Sequence, residues 1–184
     1  MSSQIILGSS SKYRAQALRT LGLELDRDFN QRSPSVDETP KPMESAQAIA
    51  SRLALAKAKE IALNNPGKVI IGSDQTGVCG DRILEKPGTV EAAIESLTYC
   101  SGKTAVFYTG LAIYQTSVQQ QNSEGDKYTL DVEATHLQFR TLTAAQITKY
   151  VELDKPLDCA GAFKAEGLGI ALFKSIKAAD PSRL

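Results

Sequence analysis

Residues 68–75, KVIIGSDQ, constrain this chain more than any other stretch. Val69, Ile70, Ile71 and Gly72 read as a strand entering a core, and Ser73, Asp74 and Gln75 follow with no spacer. A carboxylate at the exit of the most apolar strand sets two demands. The strand must end where Asp74 is either paired or solvated, and its neighbours must tolerate a charge there. Around it, helical and strand patterns mix along the whole chain, which argues an α/β or α+β sheet protein.

The segments on either side can be placed in outline. Gln4–Gly8 reads as a short buried strand, and Ser9-Ser10-Ser11 offers several N-caps for a helix running to about Leu21, with Gly22 as its stop. Ala17, Leu18 and Leu21 form its expected apolar stripe, and Arg14 lies on it, either snorkelling or paired with a carboxylate. Residues 32–44, RSPSVDETPKPME, form a proline-rich loop carrying Asp37 and Glu38. Residues 45–63 form a long helix on which Ala46, Ile49, Ala50 and Leu53 share a face. Lys57 continues that face, but so does Glu60, so the stripe is imperfect. Cys79–Arg82 reads as a hairpin turn, and Thr89 caps a helix with the stripe Val90, Ala93, Ile94 and Leu97. Residues 105–114 and 128–140 are predicted strands joined by a polar hairpin loop. The second changes phase, as a bulge near Thr135 would cause. Leu142–Ile147 carries a capping box, and Gly169–Ile176 reads as the last strand.

Composition excludes several classes. Twenty-one basic residues balance 21 acidic ones in 184, so no global charge favours a nucleic acid polymer or a membrane surface. Cys79, Cys100 and Cys159 are far apart and form no C-x-x-C pair, which fits a cytoplasmic setting without a disulfide framework. No nucleophile elbow, P-loop, dinucleotide fingerprint or H-E-x-x-H occurs. The only histidine, His136, falls in phase with a strand, and Cys159 reads as a small core residue. What remains is Arg14, Glu38, Lys57, Asp74 and Lys86, all at element ends. Cations neutralise phosphate oxygens and carboxylates hold a divalent metal or activate water, so the set suits phosphoryl chemistry if these residues meet.

Seven stretches carry a resemblance: LGSSSKYRAQAL, SVDETP, RLALAKA, IIGSDQ, EKPGTVEAA, SGKTAVFYTGLAIY and CAGAFKAEGLG. In this order they resemble the signatures of the Maf family of nucleoside triphosphate pyrophosphatases. The resemblance implies an elongated, twisted mixed β-sheet flanked by helices, related to the inosine triphosphate pyrophosphatases. It implies one Maf-like domain over 1–184, with two lobes around a central cleft as its internal arrangement. It also implies hydrolysis of a nucleoside triphosphate to monophosphate and diphosphate with a divalent cation, Mg, Mn or Co, and leaves a homodimer open. By position, Ser9 and Arg14 match the phosphate-binding opening, Glu38, Lys57 and Lys86 the catalytic pocket, and Asp74 the proton acceptor. Glu38 and Asp74 are the expected metal partners, and nearby cations would favour an ionised Asp74.

Tyr13, Gln75 and Glu166 match the three positions at which subgroups differ, and their combination resembles the subgroup acting on 7-methyl-GTP. N7-methylguanine is cationic and can stack on an aromatic face, and a carboxylate can accept from its N1–H and N2–H₂. Alternatives are another modified triphosphate, UTP, or a non-catalytic nucleotide-binding regulator of cell division. By themselves Tyr13 also reads as an exposed aromatic and Glu166 as a solvated loop charge; Lys164 is a further candidate contact to phosphate or base. The chain departs from the family pattern at Gly8, Lys12 and Glu85, and it stops at ADPSRL, short of an expected final helix.

Overall fold

The computed structural model describes residues 4–115 and 127–179. It is a mixed α/β protein with four helices and a seven-stranded sheet among those residues. The strands are β1 (Ile5–Gly8), β2 (Phe29–Arg32), β3 (Val69–Cys79), β4 (Arg82–Leu84), β5 (Thr104–Gln115), β6 (Lys127–Phe139) and β7 (Phe173–Lys177). The helices are α1 (Lys12–Thr20), α2 (Ala46–Leu63), α3 (Val90–Cys100) and α4 (Ala144–Asp154). Strand order is β2-β1-β3-β5-β6-β7, with β4 paired to β3. The chain divides into two compact units, Met1–Asp74 with Gly110–Val132, and Gln75–Thr109 with Glu133–Leu184.

In the first unit β1 pairs in parallel with both β2 and β3. Gly8 lies opposite Arg32 on one side and Gly72 on the other; β1 and β2 end there, whereas β3 does not stop at Asp74 as expected but runs on to Cys79, with Asp74 inside it. Alternate residues of β1 face opposite ways. Ile6 packs with Ile70, Ala112 and Tyr114 under Ala54, Ala58, Ile61 and Ala62 of α2, whereas Leu7 packs with Phe29 and Ala15 under α1. Helix α1 rotates differently from its expected stripe. Ala15 and Leu18 face the core, while Ala17 is exposed and Leu21, the C-cap residue, is 77% exposed.

Helix α2 begins at Ser45, whose hydroxyl accepts the Ala48 amide at 3.2 Å. It lies unusually close to the sheet because three adjacent strands present glycine to it. A Cβ on Gly110 would sit 2.4 Å from the Ala50 carbonyl oxygen, and one on Gly72 would sit 2.3 Å from that of Ala54. A Cβ on Gly8 would be 3.3 Å from Ile61 and 3.5 Å from the Lys57 carbonyl oxygen. Small residues on both surfaces, Ala50, Ala54 and Ala58 against glycine, make the approach possible.

The second unit packs α3 and α4 over Leu84, Phe107, Leu137, Phe139, Phe163 and Phe173. Phe163 meets Phe107 and Phe173 edge to face at 5.2 and 5.0 Å between centroids. Thr89 caps α3, and Thr143 with Gln146 forms the capping box of α4, both as the sequence predicts. Val90, expected on the α3 stripe, is 41% exposed at the helix start. Cys79 and Arg82 pair across a two-residue turn. In β6 the buried positions switch phase, ending with Thr135, Leu137 and Phe139 inside, and a register shift lies at Gln138/Phe139 against β7. His136 is exposed, and Cys159 is half-buried rather than a core residue. The last strand starts at Phe173, not Gly169. Residues 168–172 form a 3₁₀ turn, its entry bent by the Gly169 amide bonding the Lys164 carbonyl. The expected hairpin loop over 116–126 lies outside the described residues.

Gly72→Ala should be strongly disruptive, because neither β3 nor the α2 backbone can yield 1 Å without moving its neighbours. A loss of about 1–3 kcal/mol or more is expected for such overpacking, read as a lower denaturant midpoint at unchanged slope.

Candidate active site

In the first unit the candidate residues assemble around one ammonium group. Lys57 is buried on the sheet-facing side of α2, and its Nζ lies 2.6 Å from Asp74 Oδ1 and 2.6 Å from Glu38 Oε1. Asp74 is itself buried, just past the end of the β1–β3 pairing, whereas the Glu38 side chain reaches in from an exposed loop. The closeness of α2 to Gly8 and Gly72 delivers the ammonium there without an extended tether. So the imperfect stripe of α2 resolves in favour of Lys57 as the inward residue, with Glu60 half-buried a turn further on.

The turn between β1 and α1 supplies the next group. Ser9 is buried, and its hydroxyl oxygen accepts from the Ser11 amide at 3.2 Å and from Arg14 Nη1 at 3.0 Å. Ser11 caps α1 through the Arg14 amide. Arg14 is half-buried, and its guanidinium ends on the Ser9 hydroxyl and not, among the described residues, in the ion pair that one of its two readings expected. Burial pulls its guanidinium below the ordinary value, while Asp74 and Glu38 act in the opposite sense. An arginine so placed still carries its charge at neutral pH.

Asp74 differs from expectation. Its pKa is raised, not lowered. Burial is the largest cause, and it outweighs the Lys57 hydrogen bond and the charges of Lys57 and Arg14; Glu38 adds a further upward push. The neighbouring cations are present as expected, but desolvation wins. The consequence is a carboxylate of higher basicity than an exposed aspartate.

Two supports were not visible in sequence. Gln31 of β2 donates its amide to the Ser9 carbonyl at 2.7 Å and the Ser11 carbonyl at 3.2 Å, fixing the turn from the adjacent strand. Arg52 forks onto Glu44 at 2.6 and 2.7 Å and reaches the Thr39 carbonyl at 3.2 Å, tying the loop that carries Glu38 back onto α2. That fork holds the Glu44 carboxyl down at about 2. No signal marked Gln31, since β2 has one apolar residue in four. Glu44 and Arg52 are eight apart across a helix start, which no spacing rule picks out.

The remaining candidates belong to different surroundings. Tyr13, in the first turn of α1, is 44% exposed. In the second unit the Gln75 amide donates to Thr109 Oγ1 at 3.0 Å. Lys86 is exposed and lines a cavity of about 150 Å³ with Arg82, Glu85 and Ser96, while Glu85 lends its carbonyl to the Gly161 amide. Glu166 is exposed in the turn before the 3₁₀ segment. Lys164 is committed elsewhere: its Nζ donates to the Asp154 and Lys155 carbonyls at 2.7 and 3.2 Å, satisfying the end of α4. Among the described residues no three His, Cys, Asp or Glu side chains cluster as a metal cage, and no helix is long and apolar enough to cross a membrane.

A mixed α/β protein that buries a lysine between two carboxylates at the carboxyl end of parallel strands is built to handle charge at that edge. Comparison gives the family. The model for the Maf-like proteins matches residues 4–183, and the chain belongs to the Maf family. A protein of Idiomarina loihiensis named 7-methyl-GTP pyrophosphatase is 45% identical, over all of this chain and 88% of its own length. One of Alcanivorax borkumensis with the same name is 43% identical, covering 98% of this chain and 86% of its own. The Staphylococcus aureus Ham1 protein has a TM-score of 0.49 at 13% identity, over 90% of this chain and 88% of that one, and nothing is drawn from that likeness.

Lys57→Met should cost about 3–5 kcal/mol near neutral pH, because it strands a buried carboxylate. Its loss also raises the Asp74 pKa further. A raised carboxyl contributes stability that is whole below its unfolded pKa and is lost as pH rises through the folded one. The deficit against the parent protein should therefore be smaller at about pH 4 than at pH 7, as denaturant unfolding at the two pH values would measure.

Proposed function

We propose that the protein is a nucleoside triphosphate pyrophosphatase that hydrolyses 7-methyl-GTP to 7-methyl-GMP and diphosphate. The observation that carries the chemistry is the Asp74–Lys57–Glu38 triad beside Ser9 and Arg14. The full-length relatives at 45% and 43% identity supply the substrate.

In this reading Asp74 accepts the proton of a water aimed at a phosphorus of the α–β anhydride. The water oxygen bonds to phosphorus, the bridging P–O bond breaks, and diphosphate departs with the electron pair. The raised pKa of Asp74 makes it a better base than an ordinary aspartate, and Lys57 holds its carboxyl in one orientation. Arg14, Lys57 and Lys86 offset the phosphate charge, and the Ser9 hydroxyl, whose oxygen is already an acceptor, can turn its proton outward to a phosphate oxygen. Glu38 and Asp74 are hard oxygen donors that both reach the Lys57 ammonium, and these two carboxylates would hold a divalent cation that completes its shell with substrate phosphates. Such a cation, Mg, Mn or Co, held by these carboxylates would supply charge neutralisation and a more acidic water. Tyr13, Gln75 and Glu166 are proposed to select the base. A tyrosine face over the cationic ring contributes about 0.5–2 kcal/mol, and a pyrimidine carbonyl presented to Glu166 would leave a carboxylate unpaired. A cytoplasmic setting and a homodimer complete the proposal.

Diphosphate release across a panel of nucleotides with Mg²⁺, Mn²⁺ or Co²⁺ tests it. 7-Methyl-GTP should lead the panel, and Asp74→Asn should lower kcat about 10²–10⁴-fold, as loss of a general base does. Binding without turnover, unaltered in Asp74→Asn, would point instead to a regulator. Glu166→Gln combined with Tyr13→Arg should erase the preference for 7-methyl-GTP over UTP; an unmoved preference would refute the assignment of these residues.

A further inference from the structure

Glu166 sits on a turn whose shape is set from helix α4. The Lys164 carbonyl accepts the Gly167 amide at 3.2 Å and the Gly169 amide at 3.1 Å, so the residues around Glu166 close on one oxygen. The Lys164 amide donates to the buried Tyr150 hydroxyl at 3.0 Å, and Lys164 Nζ ends on the last carbonyls of α4. Burial holds the Tyr150 phenol above its ordinary pKa, the Lys164 amide acts against that, and the Asp154 carboxylate, one helical turn on, adds a smaller upward push. Asp154 also touches the turn directly. A Cβ on Gly167 would lie 2.8 Å from its Oδ1 and 3.0 Å from its Oδ2, so the carboxylate rests against the Gly167 backbone. Among the described residues Oδ2 is buried with no hydrogen-bond partner.

We propose that Tyr150 and Asp154 are positioning residues for base selection, holding the Lys164–Gly169 turn so that Glu166 presents its carboxylate in one direction. The proposal rests on Glu166 reading the base. Tyr150 keeps its ring in the core either way, so its hydroxyl is separable from its packing. Asp154 is half-buried and can be altered without opening that core.

The test is kcat/KM for 7-methyl-GTP and for UTP in Tyr150→Phe, Asp154→Ala and Asp154→Asn, each alone and combined with Glu166→Gln. Tyr150→Phe and Asp154→Ala should each lower the 7-methyl-GTP to UTP ratio about tenfold, mostly through KM for 7-methyl-GTP, with kcat for that substrate within about twofold. Asp154→Asn, which keeps a planar side chain of the same size against the Gly167 backbone, should recover most of the ratio. Neither change should move it further once Glu166 is glutamine, because residues acting through one group are not additive. A ratio unchanged in Tyr150→Phe and Asp154→Ala, while Glu166→Gln collapses it, would overturn the positioning role alone. So would an equal fall in the presence of Glu166→Gln. If Glu166→Gln itself leaves the ratio intact, the base-reading assignment fails and the positioning role with it.

Discussion

Helix α2 rests on glycine. At Gly110 and Gly72 the helix backbone and its alanines occupy the space where side chains of two adjacent strands would stand, and at Gly8 a Cβ would lie 3.3 Å from Ile61. Helices usually cover sheets through layers of branched side chains, and the layer here is reduced nearly to backbone. A long side chain on the inward face of such a helix reaches the strand ends directly. That is why a lysine in the middle of α2, rather than at its tip, can meet an aspartate on β3 just past the end of β1.

The charge arrangement follows from that closeness. One ammonium is shared by a buried carboxylate and an exposed one, with a guanidinium close enough to act on both. An isolated pair would neutralise itself and contribute little chemistry. Here burial dominates at Asp74 despite its cationic neighbours, so the aspartate is harder to ionise than one in water. Placing a carboxylate in a dry location conflicts with stability and favours proton acceptance, a combination expected of functional groups and not of scaffolding.

Much of this was legible from the chain. The strand entering at Val69, the caps at Thr89 and Thr143, the hairpin at Gly80 and the phase change in β6 are local signals, and each is present, whereas the strand expected to end at Asp74 runs on to Cys79 because β4 offers it a partner. What escaped depended on tertiary context. Strand β2 exists because β1 offers it a partner, and its own sequence, FNQR, has no alternation to announce it. Leu21 looked like a core residue but lies past the last turn of α1 that reaches the sheet. Lys164 looked like a ligand contact and instead satisfies the end of α4, because only the fold brings those carbonyls to it. Charges alone suggested an easily ionised Asp74, since spacing carries no information about desolvation.

The bonds from Gln31 to the Ser9 and Ser11 carbonyls carry a consequence for kinetics. With the carbonyls of that turn engaged from the neighbouring strand, its amides and the hydroxyl of Ser9 keep their orientation before any anion arrives. The entropy of ordering those groups is thereby charged to the folding of the chain. Capture of a phosphate at this turn would then be governed by encounter and desolvation, with no loop closure to wait for.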